Sequence, residues 1–172
     1  MKTRDLTEAE YGAFYAGYIS VLGEAELLEE MEVRTKHFLM LLEALDDDRL
    51  AYRYDPGKWS IGELILHIID AERVFQYRAL RLGRGDETPL PGYDQDLFVR
   101  TCNAGERSLA SLRDEFVAVR EASRSLFRSF SEKELVRMGE ASDSKVSVRA
   151  LGFMICGHQK HHENILKERY LA

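Results

Sequence analysis

The sequence predicts an all-α protein, a four-helix bundle with a long crossover between its second and third helices. Two observations predict this. Apolar residues recur at three- and four-residue steps over four stretches of about 23 residues each, enough for helices roughly 34 Å long. The three prolines, Pro56, Pro89 and Pro91, all fall between those stretches. No segment alternates as a strand should, and neither an internal repeat nor a low-complexity tract is visible.

The first helix is predicted from Glu24 to about Asp46, with Leu28, Met31, Phe38, Leu42 and Leu45 on one stripe and Thr35 interrupting it. The second has a clear start. Asp55-Pro56-Gly57 supplies a turn, Ser60-Ile61-Gly62-Glu63 reads as a capping box, and Trp59 is placed to staple onto Leu64. It runs to about Leu82 and stops at Gly83-Arg84-Gly85. The segment Gly83 to Asn103 is too long for a tight bundle turn and forms the crossover. The third helix spans Gly105 to Phe130 along the seam Leu109, Leu112, Phe116, Val119, Ser123, Leu126 and Phe130. A second capping box, Ser131 to Glu134, starts a short helix. The fourth runs from Ser147 to about Tyr170, with Leu151, Ile155, His158, His162, Ile165 and Arg169 on its seam.

Composition narrows the function classes. The 172 residues are 45% hydrophobic and 31% charged, as in an ordinary globular chain, and read as one domain over 1–172. The net charge of −6 argues against non-specific nucleic-acid binding, which needs a basic surface. Two cysteines, Cys102 and Cys156, are too few for a disulfide framework or a thiolate zinc site. Met1 to Glu10 carries no apolar signal core, and no stretch approaches the roughly 18 apolar residues of a membrane span. The expectation is a cytoplasmic protein with neither a nucleic-acid nor a membrane partner.

Five histidines are present: His37, His67, His158, His161 and His162. His158 and His162 are four apart on the fourth seam, a spacing that stacks two imidazoles on one face. His161 could pair by a three-residue step, but it shares a mixed flank with Met154, Gly157, Asn164 and Glu168. His67 sits beside Leu64, Ala71 and Val74 inside an apolar stripe. One buried histidine is usually satisfied by a neighbouring hydrogen bond. Three on the inward faces of two helices are costly to bury, and one divalent cation would satisfy them together. Three protein nitrogens and an open position is the pattern of a catalytic rather than a structural metal site. Other architectures fit less well. His162-Glu163 lacks the second histidine of a zincin motif, and no pair of Glu-x-x-His segments exists for a di-iron bundle. Glu63 is accounted for by the capping box.

These residues carry a resemblance. Asp55 to Glu63 leading into His67 to Arg73, then Tyr77 to Arg81 and Pro89 to Asp96, resemble the DinB superfamily, and within it the YfiT-like metal-dependent branch. Val146 to Leu151, Gly157 to His162 and the closing Ile165 to Leu171 continue the likeness, which covers the chain from about Tyr18 onward. The resemblance implies a four-helix bundle holding a divalent metal, zinc or nickel, on His67, His158 and His162, the same three residues that helix phase selects. It further implies a homodimer. In some members it implies a transferase that joins a low-molecular-weight thiol such as bacillithiol, mycothiol or glutathione to an electrophile.

Three functions stand open at this point: a metal-dependent thiol S-transferase, a hydrolase using metal-bound water, and a non-catalytic metal-binding stress-response protein. The first is physically coherent, because metal coordination favours the thiolate, which is the nucleophile. Asp70, three residues after His67, is either a carboxylate on the second nitrogen of that ring, fixing its tautomer, or a solvated helix residue. Asp94 and Asp96 belong to the crossover near the expected mouth of the site. Thr35 and Ser123 either open room for substrate or bond to helix carbonyls. Acid should compete with metal as pH falls through about 6.5, where an unperturbed histidine titrates.

Overall fold

The computed structural model describes residues 1–171. Its four long helices are α2 (Leu27–Leu42), α3 (Ile61–Gly83), α5 (Leu109–Ser129) and α7 (Val148–Ile165), and they form the bundle. α3 packs on both α7 and α5, and α2 packs on the same two. Shorter elements are α1 (Ala16–Ser20), α4 (Gln95–Thr101), α6 (Glu132–Leu135) and the strands β1 (Met138–Ala141) and β2 (Ser144–Ser147).

Start signals set the helix beginnings. Glu63 N donates to Ser60 Oγ (3.2 Å) and Ser60 N donates to the Glu63 carboxylate (2.7 Å), the capping box of α3. Ser131 and Glu134 repeat it at α6. Ser108 caps α5 and Ser147 caps α7, each hydroxyl accepting from the amide three residues on. α2 is capped by Glu26, whose carboxylate accepts from Glu29 N, so this helix begins after Glu24. It also ends before Asp46, because Asp46 caps the following turn Asp47–Ala51 through Arg49 N.

Other boundaries depart from the sequence expectation. The region read as free of strands contains an antiparallel hairpin, in which Met138 pairs with Ser147 and Ala141 with Ser144. Its strands are four residues long, too short for alternation to show. Its turn uses Ser142 and Asp143, both at positive φ (51° and 59°), where Asn-Gly would be the familiar signal. The crossover is not a bare loop, since Asp94 accepts from Leu97 N to start α4 within it. At the C-terminus, Leu166–Tyr170 is a π-turn. The wider turn buries Leu166 and Tyr170 and leaves Arg169 exposed, off the seam predicted for it.

Residues 1–23, to which the periodicity assigned no element, form short 3-10 turns and α1, which packs on α7. Gly157 permits that contact: a Cβ there would lie 1.8 Å from the Tyr18 carbonyl oxygen. Glu10 anchors the segment by accepting from Arg149 (both contacts 2.6 Å) and from Ser147 Oγ (2.8 Å).

The buried apolar residues form two clusters. Buried polar side chains lie at the division on all four long helices: Arg34 on α2, Glu72 on α3, Arg120 and Ser123 on α5, and His158, Gln159, His162 and Glu163 on α7. The bundle therefore has a polar middle layer. Among the described residues no helix is long and apolar enough to cross a membrane.

Candidate metal centre

Helices α3 and α7 bring His67, His158 and His162 together. Each ring offers one nitrogen, and the three nitrogens lie within 4.8 Å of one another. His67 Nε2 and His158 Nε2 are 3.0 Å apart. All three residues are buried. Nitrogens bound tetrahedrally at the usual zinc distance sit about 3.3 Å apart, so this spacing suits one ion after small rotamer adjustments. His162 Nδ1 is buried with no hydrogen-bond partner, a cost the fold would not carry for packing alone. The donor set fits a divalent borderline metal: three imidazoles, with no carboxylate among them.

Aromatic rings fix the orientation of the imidazoles. Trp59 lies against His67, with ring centroids 4.7 Å apart, and Tyr18 meets His158 edge-on at 5.4 Å. Burial holds the rings neutral. It lowers His67 to about 4, against the opposing charge of Asp96. It lowers His162 to about 2, helped by the neighbouring His67 and His161, and takes His158 well below its ordinary value. Neutral imidazoles are the metal-binding form, so near neutral pH no proton must leave them first.

The other two histidines offer no nitrogen to the cluster, although the His161 ring lies 5.0 Å from that of His162. His161 is exposed. His37 is exposed too, its Nδ1 2.9 Å from Arg34 Nη2. Asp70 lines the same small recess as His67. Burial raises its carboxyl, and its recorded side-chain partner is Arg73 at 3.4 Å. Asp94 serves as the α4 cap, while Asp96 is exposed. Cys102 borders the His67 recess, and burial pushes the Cys156 thiol up to about 12, which makes it inert. Thr35 bonds the Met31 carbonyl (2.6 Å), whereas Ser123 Oγ accepts from Gln76 (3.3 Å) rather than bonding a helix carbonyl.

Beside the histidines lies an ion network that the sequence reading missed. Arg120, fully buried, donates to both Glu72 oxygens (2.8 and 2.7 Å) and to Gln159 Oε1 (2.5 Å). Gln159 Nε2 donates to the Arg34 carbonyl (2.7 Å) and to Glu163 Oε1 (2.6 Å), and Arg34 Nη1 reaches Glu163 Oε2 (3.3 Å). Gln159 and Glu163 directly follow His158 and His162, so the network grips the same turns of α7 that carry two of the imidazoles. The available signal was phase, since Arg120 follows Phe116 by four on the third seam.

Comparison with known proteins identifies the family and the fold. The DinB superfamily profile matches residues 30–166. A protein of Oceanobacillus iheyensis, named as a candidate metal-dependent hydrolase, is 26% identical over 142 residues, covering 80% of this chain and 79% of its own. The solved structure of YfiT from Bacillus subtilis is described as a candidate metal-dependent hydrolase with an unusual four-helix bundle topology. It superposes with a TM-score of 0.69 at 17% identity, over 84% of this chain and 83% of its own. That likeness establishes the fold. With the profile spanning most of the sequence, the chain belongs to the DinB superfamily.

Proposed function

We propose that the protein is a divalent-metal-dependent enzyme that joins a low-molecular-weight thiol to an electrophile, with His67, His158 and His162 as the metal ligands and zinc or nickel as the metal. The observation that carries this reading is the all-imidazole donor set, held neutral by burial. Three neutral ligands leave the full charge of a divalent ion in place, and such an ion supplies an open position that favours the thiolate. The chain's own residues supply the geometry. Trp59, Tyr18 and the apolar flanks hold the rings and exclude water. Thiolate formation would release the thiol proton to solvent, and carbon–sulfur bond formation would then expel the leaving group of the electrophile.

A hydrolase is the second reading, with water in place of thiol. The names of the two relatives favour it. A general base would help that reaction, and Asp70 is the nearest candidate, but its carboxylate is engaged by Arg73. A thiol ionises far more easily than water and needs no base, which is why the transferase is preferred. A homodimer is proposed with it, on the family resemblance.

Thiol consumption with a chloronitrobenzene electrophile tests the reading. The metal-loaded chain should exceed both the metal-free chain and His162→Ala by at least about tenfold. Equal rates would contradict it, and metal-dependent ester or amide hydrolysis without thiol consumption would favour the second reading.

A further inference from the structure

One stretch of chain over the histidine cluster is held differently from the rest of the molecule. Between Gly92 and Asn103 only Val99 is buried, and only Tyr93 and Cys102 are half-buried. Among the described residues no hydrogen bond or ion pair joins residues 92–102 to another part of the chain, and their polar contacts are internal. Asp94 caps α4 through Leu97 N (2.9 Å), Thr101 Oγ1 donates to the Leu97 carbonyl (2.8 Å), and the Tyr93 and Phe98 rings meet at 5.1 Å. The segment is a unit tied to itself. Other short elements are pinned from outside: Lys160 holds the end of α1 through the Val21 carbonyl, and Arg84 holds Glu134 of α6.

The two ends of the segment are fixed. On one side Leu90 N donates to the Glu140 carbonyl (2.9 Å), the Leu90 carbonyl accepts from Ser142 N (3.0 Å), and the Pro91 carbonyl accepts from Arg78 (2.9 Å). On the other, Ala104 is buried against α3, where a Cβ at Gly62 would lie 3.6 Å from its carbonyl oxygen. Leu90 belongs to one apolar cluster and Ala104 to the other; Cys102 touches the second, while Val99 belongs to neither. A segment with one buried side chain and no outside hydrogen bond opens at lower free energy than the helices beneath it.

This segment walls two ways into the cluster. Phe98, Val99 and Cys102, with Tyr93, close a recess at His67 of about 10 Å³, room for a single water. Gly92, Asp94 and Gln95, again with Tyr93, form one side of a cleft of about 370 Å³ that reaches His158. Tyr93 stands in both walls, so lifting the segment would join recess and cleft over the imidazoles.

We propose that residues 92–103 are a lid over the histidine cluster, swinging between anchors at Leu90 and Ala104 and latched by Val99. Open, it admits ligands to the imidazoles; closed, it keeps bulk water from them. The inference concerns access and does not depend on which reaction the site performs.

Two measurements at pH 7 on the full chain, freed of metal by chelator so that neither depends on metal binding, test it. In native-state hydrogen exchange the α4 amides Phe98 to Thr101 should be at least about a hundredfold less protected than mid-helix amides of α3 and α7, with a much shallower urea dependence. Carbethoxylation of His67 by diethyl pyrocarbonate, mapped by mass spectrometry, should share that shallow urea dependence. Val99→Ala should speed it at least about fivefold, with the exposed His37 and His161 as unchanged controls. The unaltered chain carries the test if the variant fails to fold. Exchange of the α4 amides only through global unfolding, a His67 rate that tracks global unfolding, or one indifferent to Val99→Ala would overturn the lid.

Discussion

His161 and His162 are neighbours on α7, yet the helix turns only the second inward. Replacing His67, His158 or His162 by Ala should lower metal content at least about tenfold at limiting metal, while His37→Ala and His161→Ala retain it; elemental analysis after dialysis checks this. Burial also changes the pH dependence expected from the sequence. Unperturbed rings would lose metal through about pH 6.5. The folded-state value of His67 lies near 4, and that of His162 near 2. Proton competition in the folded protein therefore begins lower. Loading should stay level between about pH 8 and 6 and fall as pH approaches 4, so a midpoint at 6.5 would contradict the buried site. The stability of the metal-free chain also falls with acid. Below the unfolded value of about 6.5 the unfolded state takes up protons that the buried rings refuse. Stability is thus full above that pH and declines as pH falls toward the folded values, which denaturant titration at pH 7.5 and 5 would register. Arg120 supplies a third residue-scale expectation. Arg120→Met strands Glu72 in the interior and should cost about 3–5 kcal/mol in urea unfolding, and adding Glu72→Leu should restore most of it.

Elements differ in how openly the sequence shows them. The four long helices were legible because each repeats its apolar spacing over several turns and because Ser60 and Ser147 mark starts that the structure retains. The β1–β2 hairpin was not legible. Four-residue strands give no periodicity, Ser142-Asp143 is a weak turn signal, and Gly139 has no side chain because a Cβ there would meet Leu82 Cγ at 2.6 Å. The N-terminal segment was also hidden. Its place depends on distant partners: Arg149 and Ser147 for Glu10, and Gly157 for the backbone of Tyr18. Gly157→Ala forces α1 and α7 apart and should destabilise the fold by about 1–3 kcal/mol in urea unfolding, with helix content retained by circular dichroism. A substitution without effect would mean that α1 does not rest on α7 in solution.

At the scale of the whole molecule the bundle is two apolar halves joined by a polar layer, with the histidine cluster and the ion network side by side within it. The histidine half could be read from the sequence because an imidazole on an apolar stripe is conspicuous. The ionic half could not, because Glu72, Arg120 and Glu163 resemble the solvated charges common on any helix, and only the assembled bundle shows that they face one another. The central claim is that the three imidazoles hold one divalent ion. Crystals grown with zinc or nickel and measured at the absorption edge of that metal test it most directly. The account predicts one strong anomalous peak per chain, about 2.0–2.2 Å from one nitrogen each of His67, His158 and His162. A structure with those nitrogens bare and the metal on His37 or His161 would contradict it.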